Sequence, residues 1–353
     1  MKTSKMIVFF VAVFTTARFA YGTAPMSAAV AQATVQAFHV PTDMAGAKTT
    51  LNPPPGFNAI TASDVELATY GFPPRPDAQL EPQAYASWER AMLASKVRVT
   101  PQLQMTNIFR TPVSKTSAAS VTDNASAVPP TGSNGPTSGG WSGYYVLSGA
   151  ASYNHTNSFY YALAYYVVPK ARHALNAPCN NTWNLAYGGV GLDGFGSSDV
   201  LEAGVVFDSY LSTSCVNTPY YAFSYEWYPY GSVVVSSVPV TAGDDVFVEV
   251  WNTSATQGYV YMVDLFTNQA VTIGVTAYPG YSLVGNSAEW FIDGAAASLT
   301  DYTMDFFADC YAYTWSSTAY PATTGTAVTM VNGATTVSQP SPLGTSGIWF
   351  RYF

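Results

Sequence analysis

The sequence predicts an all-β domain over residues 141–353, built as an antiparallel sandwich of two packed β-sheets. Segments with period-two alternation recur there about every 8 to 15 residues, with Gly and Asn between them. Few stretches of this region have helical periodicity. The pattern favours a sandwich over a parallel α/β fold, in which helical segments would alternate with the strands.

Residues 1–24 have the features of a secretory signal peptide. Lys2 and Lys5 precede an apolar run at residues 7–14, and small residues follow that run. The apolar run is too short to span a membrane, so it is typical of a signal peptide and not of an anchor. We therefore expect the protein to be secreted and the mature product to be soluble.

Residues 25–140 are interpreted as a partly helical propeptide that ends in a linker. The segment is rich in proline, and the spacing of Trp88 and Met92 predicts one helix near residues 83–98. Residues 116–140 consist mainly of Ser, Thr, Asn, Gly and Pro, which is typical of a flexible linker. A plain spacer is the alternative interpretation of the whole segment.

Charge divides the chain on either side of this linker. Ten of the 13 Lys and Arg precede residue 116, whereas fourteen of the 21 Asp and Glu lie beyond residue 140. With three cations, the C-terminal part has a formal charge of −11, so neither nucleic acid nor a membrane is an expected partner. We predict that the basic propeptide acts as an intramolecular inhibitor, with Arg90, Lys96 or Arg98 covering an acidic cleft until low pH releases it.

Two stretches of the β region are the clearest strand candidates. In residues 246–251, valines alternate with Phe247, Glu249 and Trp251. Residues 259–275 are predicted to form a hairpin whose turn contains Asn268, a residue type that tolerates positive φ. Three cysteines lie in the same region, which implies one disulfide and one free thiol. Cys179 with Cys215 is the pair we expect, and the pairings that involve Cys310 stay open.

The main chemical candidate is Glu289, a lone acid inside the apolar run at residues 286–294. Apolar neighbours favour the protonated carboxyl, which suits proton transfer in acid. The alternative is a strand glutamate that faces solvent or forms a structural hydrogen bond. Only His155 and His173 follow the linker, and neither lies in a context typical of a Ser-His-Asp site. No metal-ligand motif occurs, so no metal or other cofactor is expected.

Four segments of the β region together resemble the glutamic peptidases of the eqolisin family, also called family G1 or peptidase A4-like. They are W-S-G-Y at residues 141–144, G-L-D-G with V-L-E-A-G at 191–194 and 200–204, Y-E-W-Y-P at 225–229, and N-S-A-E-W-F-I-D at 286–293. The resemblance implies a concanavalin-like β-sandwich, secreted as a zymogen, whose Gln and Glu pair hydrolyses proteins at acid pH. It identifies Glu289 as the catalytic glutamate. The positions that line or support the cleft are Trp141, Asp193, Glu226 and Tyr228.

The chain departs from the family pattern at two positions. Glu202 stands where the family has its catalytic glutamine, and Gly189 replaces a tryptophan, so one wall of the cleft is expected to be open. Two facing glutamates would share a proton, as aspartic-protease dyads do, with Glu289 as the base and Glu202 as the donor. Two alternatives stay open. One is a non-catalytic β-sandwich that binds peptide or sugar, and the other is a retaining β-glycanase, which also uses two carboxyl groups.

Overall fold

The computed structural model describes residues 40–105, 136–174, 177–197 and 199–353. The predicted signal peptide and most of the predicted linker therefore lie outside the described residues. Strands make up most of the described chain, and their bounds are β1 (Val40–Pro41), β2 (Ala47–Thr49), β3 (Val97–Arg98), β4 (Leu103–Met105), β5 (Thr137–Ser138), β6 (Trp141–Leu147), β7 (Phe159–Val167), β8 (Thr182–Asn184), β9 (Tyr187–Asp193), β10 (Val200–Leu211), β11 (Asn217–Trp227), β12 (Val233–Val235), β13 (Asp245–Ser254), β14 (Gln257–Asp264), β15 (Gln269–Thr276), β16 (Ser287–Asp293), β17 (Met304–Thr314), β18 (Ala319–Pro321), β19 (Thr326–Asn332), β20 (Thr335–Leu343) and β21 (Gly347–Tyr352). The helices are α1 (Asp64–Thr69) and α2 (Pro82–Ala94), with short 3₁₀ turns at Ala296–Ser298 and Ala322–Thr324.

Two sheets face each other in this structure. The front sheet has the order β4–β12–β11–β10–β9–β16–β6–β19, and β8 lies beside β10 in line with β9. The back sheet has the order β1–β2–β15–β14–β13–β7–β17–β21–β20–β19. Strand β19 pairs with both β6 and β20, so it joins the sheets along one side. All these neighbours are antiparallel, which confirms the predicted two-sheet sandwich.

The core between the sheets follows from the alternation along each strand. On β13 the valines, including Val248 and Val250, point inward and are fully buried. On β16 it is Trp290 and Ile292 that enter the same core. The indole Nε1 of Trp290 donates a hydrogen bond of 2.9 Å to the carbonyl of Leu163 on β7, so this side chain also ties the front sheet to the back sheet.

The hairpin and the disulfide expected from the sequence are both present. Strands β14 and β15 pair over their full length, and Asn268 adopts φ 59° between them. Cys179 forms a disulfide with Cys215, and Cys310 is a buried free thiol. The disulfide fastens the loop before β8 to the turn between β10 and β11.

Residues 40–105, here called the N-terminal segment, are packed onto the sandwich. Helix α2 lies on the outer face of the back sheet, where Trp88 is fully buried and donates a hydrogen bond of 3.1 Å to the carbonyl of Pro73. The predicted helix is confirmed, but its predicted end at residue 98 is wrong. The backbone N–H groups of Lys96 and Val97 donate to the carbonyl of Asn268 in the β14–β15 turn, and this contact replaces helical bonding with the parallel β3–β15 pairing.

The N-terminal segment also reaches the front sheet, because β4 pairs with its edge strand β12. Within the described ranges, no helix has both the length and the apolar character needed to cross a bilayer.

Candidate active site

A row of residues crosses the front sheet on its outer face, away from the core between the sheets. Glu289 on β16 lies directly opposite Gly191 on β9, and Gly191 lies directly opposite Glu202 on β10. The row continues from Glu202 to Glu226 on β11, and on the other side from Glu289 to Tyr145 on β6. Residues directly opposite each other in a sheet project to the same face, so the structure brings the three glutamates together on one surface.

Gly191 leaves a gap between Glu202 and Glu289. Because neighbouring strands lie ~4.8 Å apart, the Cα atoms of the two glutamates are separated by roughly two strand spacings, or ~9.6 Å. A side chain at residue 191 would fill the space between them, since an ideal Cβ there lies 3.3 Å from the Cβ of Glu202 and 3.6 Å from Cε1 of Phe291. The absence of that side chain leaves the space above Gly191 open between the two glutamates.

Aromatic rings surround this gap and limit the access of water. Phe291 is fully buried two residues beyond Glu289, and Tyr187 lies beside it at 5.7 Å between ring centroids. On the other side of Glu289, the ring of Tyr145 stacks on Phe195 at 3.6 Å. Glu289 itself is 0% exposed and Glu202 is 5% exposed. A low-dielectric setting of this kind strengthens hydrogen bonds and charge interactions among the carboxyl groups.

Glu226 is the third carboxyl of the row, and its position is fixed by a serine. The hydroxyl of Ser232 donates a hydrogen bond of 2.7 Å to Oε2 of Glu226. Glu226 is 6% exposed and lies directly across the β10–β11 pair from Glu202. Glu226 therefore places a third carboxyl group in the row, directly beside Glu202.

Asp193 anchors the turn that leads into the strand of Glu289. It ends β9 with φ 62° and is fully buried. Its Oδ2 accepts hydrogen bonds from the backbone N–H groups of Val284 (2.6 Å) and Gly285 (3.0 Å), and its Oδ1 accepts one from Asn286 (2.9 Å). Burial raises the pKa of the Asp193 carboxyl, although these backbone donors oppose the shift. Asp193 is therefore placed to support the site and not to contact the gap.

A second acid, Asp199, lies near Asp193 where the chain enters β10. Burial and then the charge of Asp193 raise the pKa of Asp199 to about 6, against a backbone N–H of Ser282 that lowers it. Its Oδ1 is buried and has no hydrogen-bond partner within the described residues. The two aspartates thus flank the turn at residues 282–286, three residues before Glu289. The motif comparison did not single out Asp199, whose only sequence signal is an acid at the start of the Glu202 strand.

The remaining predicted residues lie at the two ends of the site. Trp141 begins β6 opposite Asp293, and its ring is 6.5 Å from that of Tyr145. Tyr228 follows β11, and its ring meets the edge of Tyr281 at 5.9 Å in the loop before β16. By the alternation of β6, Trp141 shares the outer face of the front sheet with Tyr145, the residue opposite Glu289.

Gly189, which stands where the family pattern has a tryptophan, lies close against the backbone of β10. An ideal Cβ there would lie 2.4 Å from the carbonyl oxygen of Ala203 and 3.2 Å from the Cα of Gly204. Strands β9 and β10 approach each other so closely that their backbones occupy this space. A side chain at residue 189 would therefore clash with the β10 backbone, and the expected opening in the cleft wall stays a prediction.

Sequence reasoning missed two members of the site, Gly191 and Tyr145. Gly191 lies in the G-L-D-G motif, and its signal in the sequence is a glycine two residues before Asp193 on the same strand face. Tyr145 shares a face with Trp141 through the period-two alternation of β6, so its position could have been found in the same way.

The three basic residues that were predicted to cover the acidic cleft lie away from it. Arg90 forms a salt bridge of 3.2 Å with Asp309, and its guanidinium lies 3.4 Å from the ring centroid of Tyr165. Arg98 lies over Phe72 and Tyr261. Those contacts are on the outer face of the back sheet, so the prediction that Arg90 or Arg98 covers the acidic site is wrong. Lys96 precedes β3 at the edge of the same back sheet.

Neither histidine beyond the linker belongs to this row. His155 lies against Trp315 at 4.5 Å between ring centroids, in a loop outside the front sheet. The backbone N–H of His173 donates to the side chain of Asn217. Among the described residues, no group of three or more His, Cys, Asp or Glu side chains is arranged to hold a metal ion.

Comparison with known proteins gives three findings. The model of the Peptidase A4 family matches residues 141–352, and a search of curated proteins gives no match. Among solved structures, scytalido-glutamic peptidase with a transition-state analogue inhibitor matches at 20% identity and a TM-score of 0.50, covering 61% of this chain and 98% of that chain. Aspergilloglutamic peptidase from Aspergillus niger matches at 23% identity and a TM-score of 0.43, covering 48% of this chain and 99% of that chain. The first of these structures shares the fold, and because the family model spans more than half of the sequence, this chain belongs to the Peptidase A4 family.

Proposed function

We propose that this protein is a secreted acid endopeptidase in which Glu289 and Glu202 activate water for attack on a peptide bond. The observation that supports the proposal most directly is the alignment of both glutamates with Gly191 on one buried face. Membership of a peptidase family supports the reaction class. The substrate is a protein or peptide, and its chain would lie along the outer face of the front sheet.

In the proposed reaction, a water molecule occupies the gap above Gly191. Ionised Glu289 accepts a proton from the water, and the oxygen attacks the carbonyl carbon of the substrate. Protonated Glu202 donates a hydrogen bond to the oxyanion that forms, in the way an amide donor would. The C–N bond then breaks as Glu289 returns its proton to the leaving nitrogen. The products are a carboxylic acid and an amine, and both glutamates regain their starting forms.

The acid working range follows from the three carboxyl groups of the row. The mechanism requires one proton on Glu202 and none on Glu289. Loss of that proton at higher pH would remove the hydrogen-bond donor and leave a negative charge facing the oxyanion. Activity is therefore expected in acid and lost as pH rises.

We further propose that the protein is made as a precursor with a signal peptide at residues 1–24 and a propeptide at 25–140, ahead of the peptidase domain at 141–353. The proposed cut that activates the precursor falls after residue 115. The new N-terminus lies no later than Trp141, where β6 begins. Inhibition by the propeptide belongs to the same proposal, and the activity of precursor and cut protein at one pH tests it.

The decisive experiment measures product release by purified protein at about pH 3. Denatured protein substrate should yield new peptide amino groups, and Glu289→Gln should abolish that release. Glu89→Gln is the matched control, since Glu89 lies on α2 away from the front sheet. Peptide release that survives in Glu289→Gln would refute the proposed site.

Two other functions are favoured by particular observations and are outcomes of the same experiment. Two glutamates facing each other also suit a retaining β-glycanase, whose carboxyl groups lie about 5 to 5.5 Å apart. Release of reducing sugar from a β-glycan, without peptide release, would support that function. The presence of Glu202 where the family has glutamine favours a non-catalytic binding module, and binding of a peptide without release of either product would support it.

A further inference from the structure

Glu249 is a buried acid on the side of the molecule opposite the candidate active site. It projects from the centre of β13 to the outer face of the back sheet, together with Phe247 and Trp251. The N-terminal segment covers this face, and Glu249 is only 1% exposed. Neither of its carboxyl oxygens has a hydrogen-bond partner within the described residues. The mechanism proposed above uses no group on this face.

The nearest acid comes from the N-terminal segment and not from the sheet. Glu81 immediately precedes α2 and is 5% exposed. Its Oε2 accepts hydrogen bonds from the hydroxyl of Tyr161 (2.9 Å) and from the backbone N–H of Asp77 (3.3 Å). Tyr161 is opposite Trp251 in the β7–β13 register, which makes it a diagonal neighbour of Glu249 on the same face. Two buried acids therefore lie near each other, on either side of Tyr161, where the segment covers the sheet.

The other titratable groups around Glu249 do not balance a negative charge there. Its neighbours on this face are tyrosines and a leucine: Tyr261 lies directly opposite on β14 and Leu163 directly opposite on β7, and Tyr160 and Tyr161 are close enough to interact with its charge. The nearby cation is Arg98, 5.1 Å from the ring centroid of Tyr261. Of the described residues, those in salt bridges are Arg75 with Asp64 and Arg90 with Asp309, so Arg98 forms none with Glu249 or Glu81.

An ionised carboxylate in this setting is strongly disfavoured, because burial removes its hydration and no donor replaces the water. Burial, and then the charge of Glu81, raise the pKa of Glu249 well above its ordinary value. If the N-terminal segment leaves the back sheet, water reaches Glu249 and the carboxyl regains an ordinary pKa of about 4.3. Docking of the segment therefore takes up a proton whenever the pH exceeds that value.

The direction of the pH effect follows from this proton uptake. The equilibrium constant for docking of the segment has its full value below the ordinary pKa of Glu249. It falls as pH rises above that pKa, by about tenfold per pH unit for one proton. The fall continues until the pH reaches the raised pKa of the docked form. Acid thus tightens this contact, which is opposite to the release in acid expected from the charge distribution of the sequence.

We infer that Glu249, buried beneath the N-terminal segment near Glu81, is a proton-linked lock that holds this segment on the back sheet most tightly in acid. The segment then stays docked under the conditions in which acid would be expected to expel a basic propeptide. It acts as a fixed layer of the fold, and the proposed cut after residue 115 would leave it bound without a covalent link. This inference does not depend on the proposed peptidase activity.

Hydrogen exchange of the full-length protein, followed by mass spectrometry from pH 3.5 to 7.5, tests the lock. After correction for intrinsic exchange rates, protection of α2 should fall as pH rises, while protection of β16 in the front sheet should change much less. Glu249→Gln should remove most of this pH-dependent loss of protection in α2, because glutamine does not ionise. Glu81→Gln should make the loss smaller, because it removes a negative charge that repels ionised Glu249.

Asp305→Asn is the matched control. Asp305 is also a buried acid whose pKa burial raises well above the ordinary range, but it lies on β17 among residues that face the core between the sheets. This variant should keep the fall at α2, and protection of β16 shows whether each variant is folded. Two results would overturn the inference. One is that protection of α2 falls with pH in folded Glu249→Gln and folded Glu81→Gln as much as in the parent. The other is that protection of α2 in the parent increases with pH.

Discussion

Glu202 and Glu289 are aligned with the same residue, Gly191, from opposite sides of one strand. This relationship sets both the separation of the two acids and the absence of a side chain between them. A glutamine at residue 202 would occupy the same backbone position, so exchange of the two residue types tests the role of the proton without changing the shape of the site. The proposed function predicts different pH behaviour for the two acids.

Glu202→Gln should keep substantial peptidase activity and extend it towards higher pH. The amide of glutamine donates a hydrogen bond to the oxyanion and cannot ionise, whereas Glu202 donates only while protonated. Glu202→Ala removes the donor and should lower kcat on the order of 10²-fold. Glu289→Gln removes the base and should lower kcat by several orders of magnitude. The measurement is kcat against pH for the parent and the three variants.

Two results would contradict the assigned roles. A Glu202→Gln profile that superimposes on that of the parent would show that ionisation of Glu202 has no part in the reaction. Complete loss of activity in folded Glu202→Gln would instead indicate that a carboxylate at this position is a nucleophile or base.

Gly191→Ala should lower kcat while leaving the fold intact. The added Cβ would lie 3.3 Å from the Cβ of Glu202, so the neighbouring side chain must shift by a few tenths of an ångström within the gap where water is proposed to react. Misplacement on this scale reduces the rate because the reacting groups lose their alignment. The measurement is kcat and KM, together with the midpoint of thermal unfolding.

Gly139→Ala is the control for that substitution, since nothing lies within 4 Å of an ideal Cβ at residue 139. It should leave both kcat and the unfolding midpoint near those of the parent. Unchanged kcat in Gly191→Ala would show that the gap is not where the reaction takes place.

The fold was largely predictable because each strand of the sandwich has one face in the core. The alternation of valines with Phe247, Glu249 and Trp251 defined β13, and Asn268 located its neighbouring hairpin turn. Burial of the second face was not predictable, since it depends on the N-terminal segment, which is far from β13 in the sequence. The alternation along β13 alone would place Glu249 on the side facing solvent, whereas the structure buries it.

The candidate site was predictable only where motifs supplied it. Glu289, Glu202 and Glu226 were named from the sequence, but their alignment across four strands is a property of sheet register. Register arises from long-range pairing, which local sequence patterns do not specify. The same reason explains the incorrect placement of Arg90 and Arg98, because their charge was visible in the sequence and the sheet that they contact was not.

Trp88→Ala should weaken attachment of the N-terminal segment to the back sheet. The indole is fully buried and bonded to the carbonyl of Pro73, and truncation of a buried Trp costs about 3 to 5 kcal/mol. Hydrogen exchange in α2 should rise far more than exchange in β16. Leu93→Ala, on the exposed side of the same helix, is the control and should change little. Equal loss of protection in α2 and β16 would show that the segment does not unfold separately from the sandwich.

Asp199→Asn should broaden the pH range over which the turn at residues 282–286 stays ordered. The pKa of Asp199 is raised to about 6 by burial and by the charge of Asp193, so its neutral form is the one that the fold favours. Stability from this group is fully present below the ordinary aspartate pKa of about 3.9 and is lost as pH rises through about 6. Above that pH the two carboxylates repel each other beside the backbone that leads to Glu289.

Between about pH 5 and 7, the midpoint of thermal unfolding should therefore fall and hydrogen exchange at residues 282–286 should become faster in the parent. Both changes should be much smaller in Asp199→Asn. Asp301→Asn serves as the control, because Asp301 lies outside this pair and accepts its hydrogen bonds from Thr303. A parent and an Asp199→Asn variant with the same pH dependence would show that ionisation of Asp199 does not govern the turn.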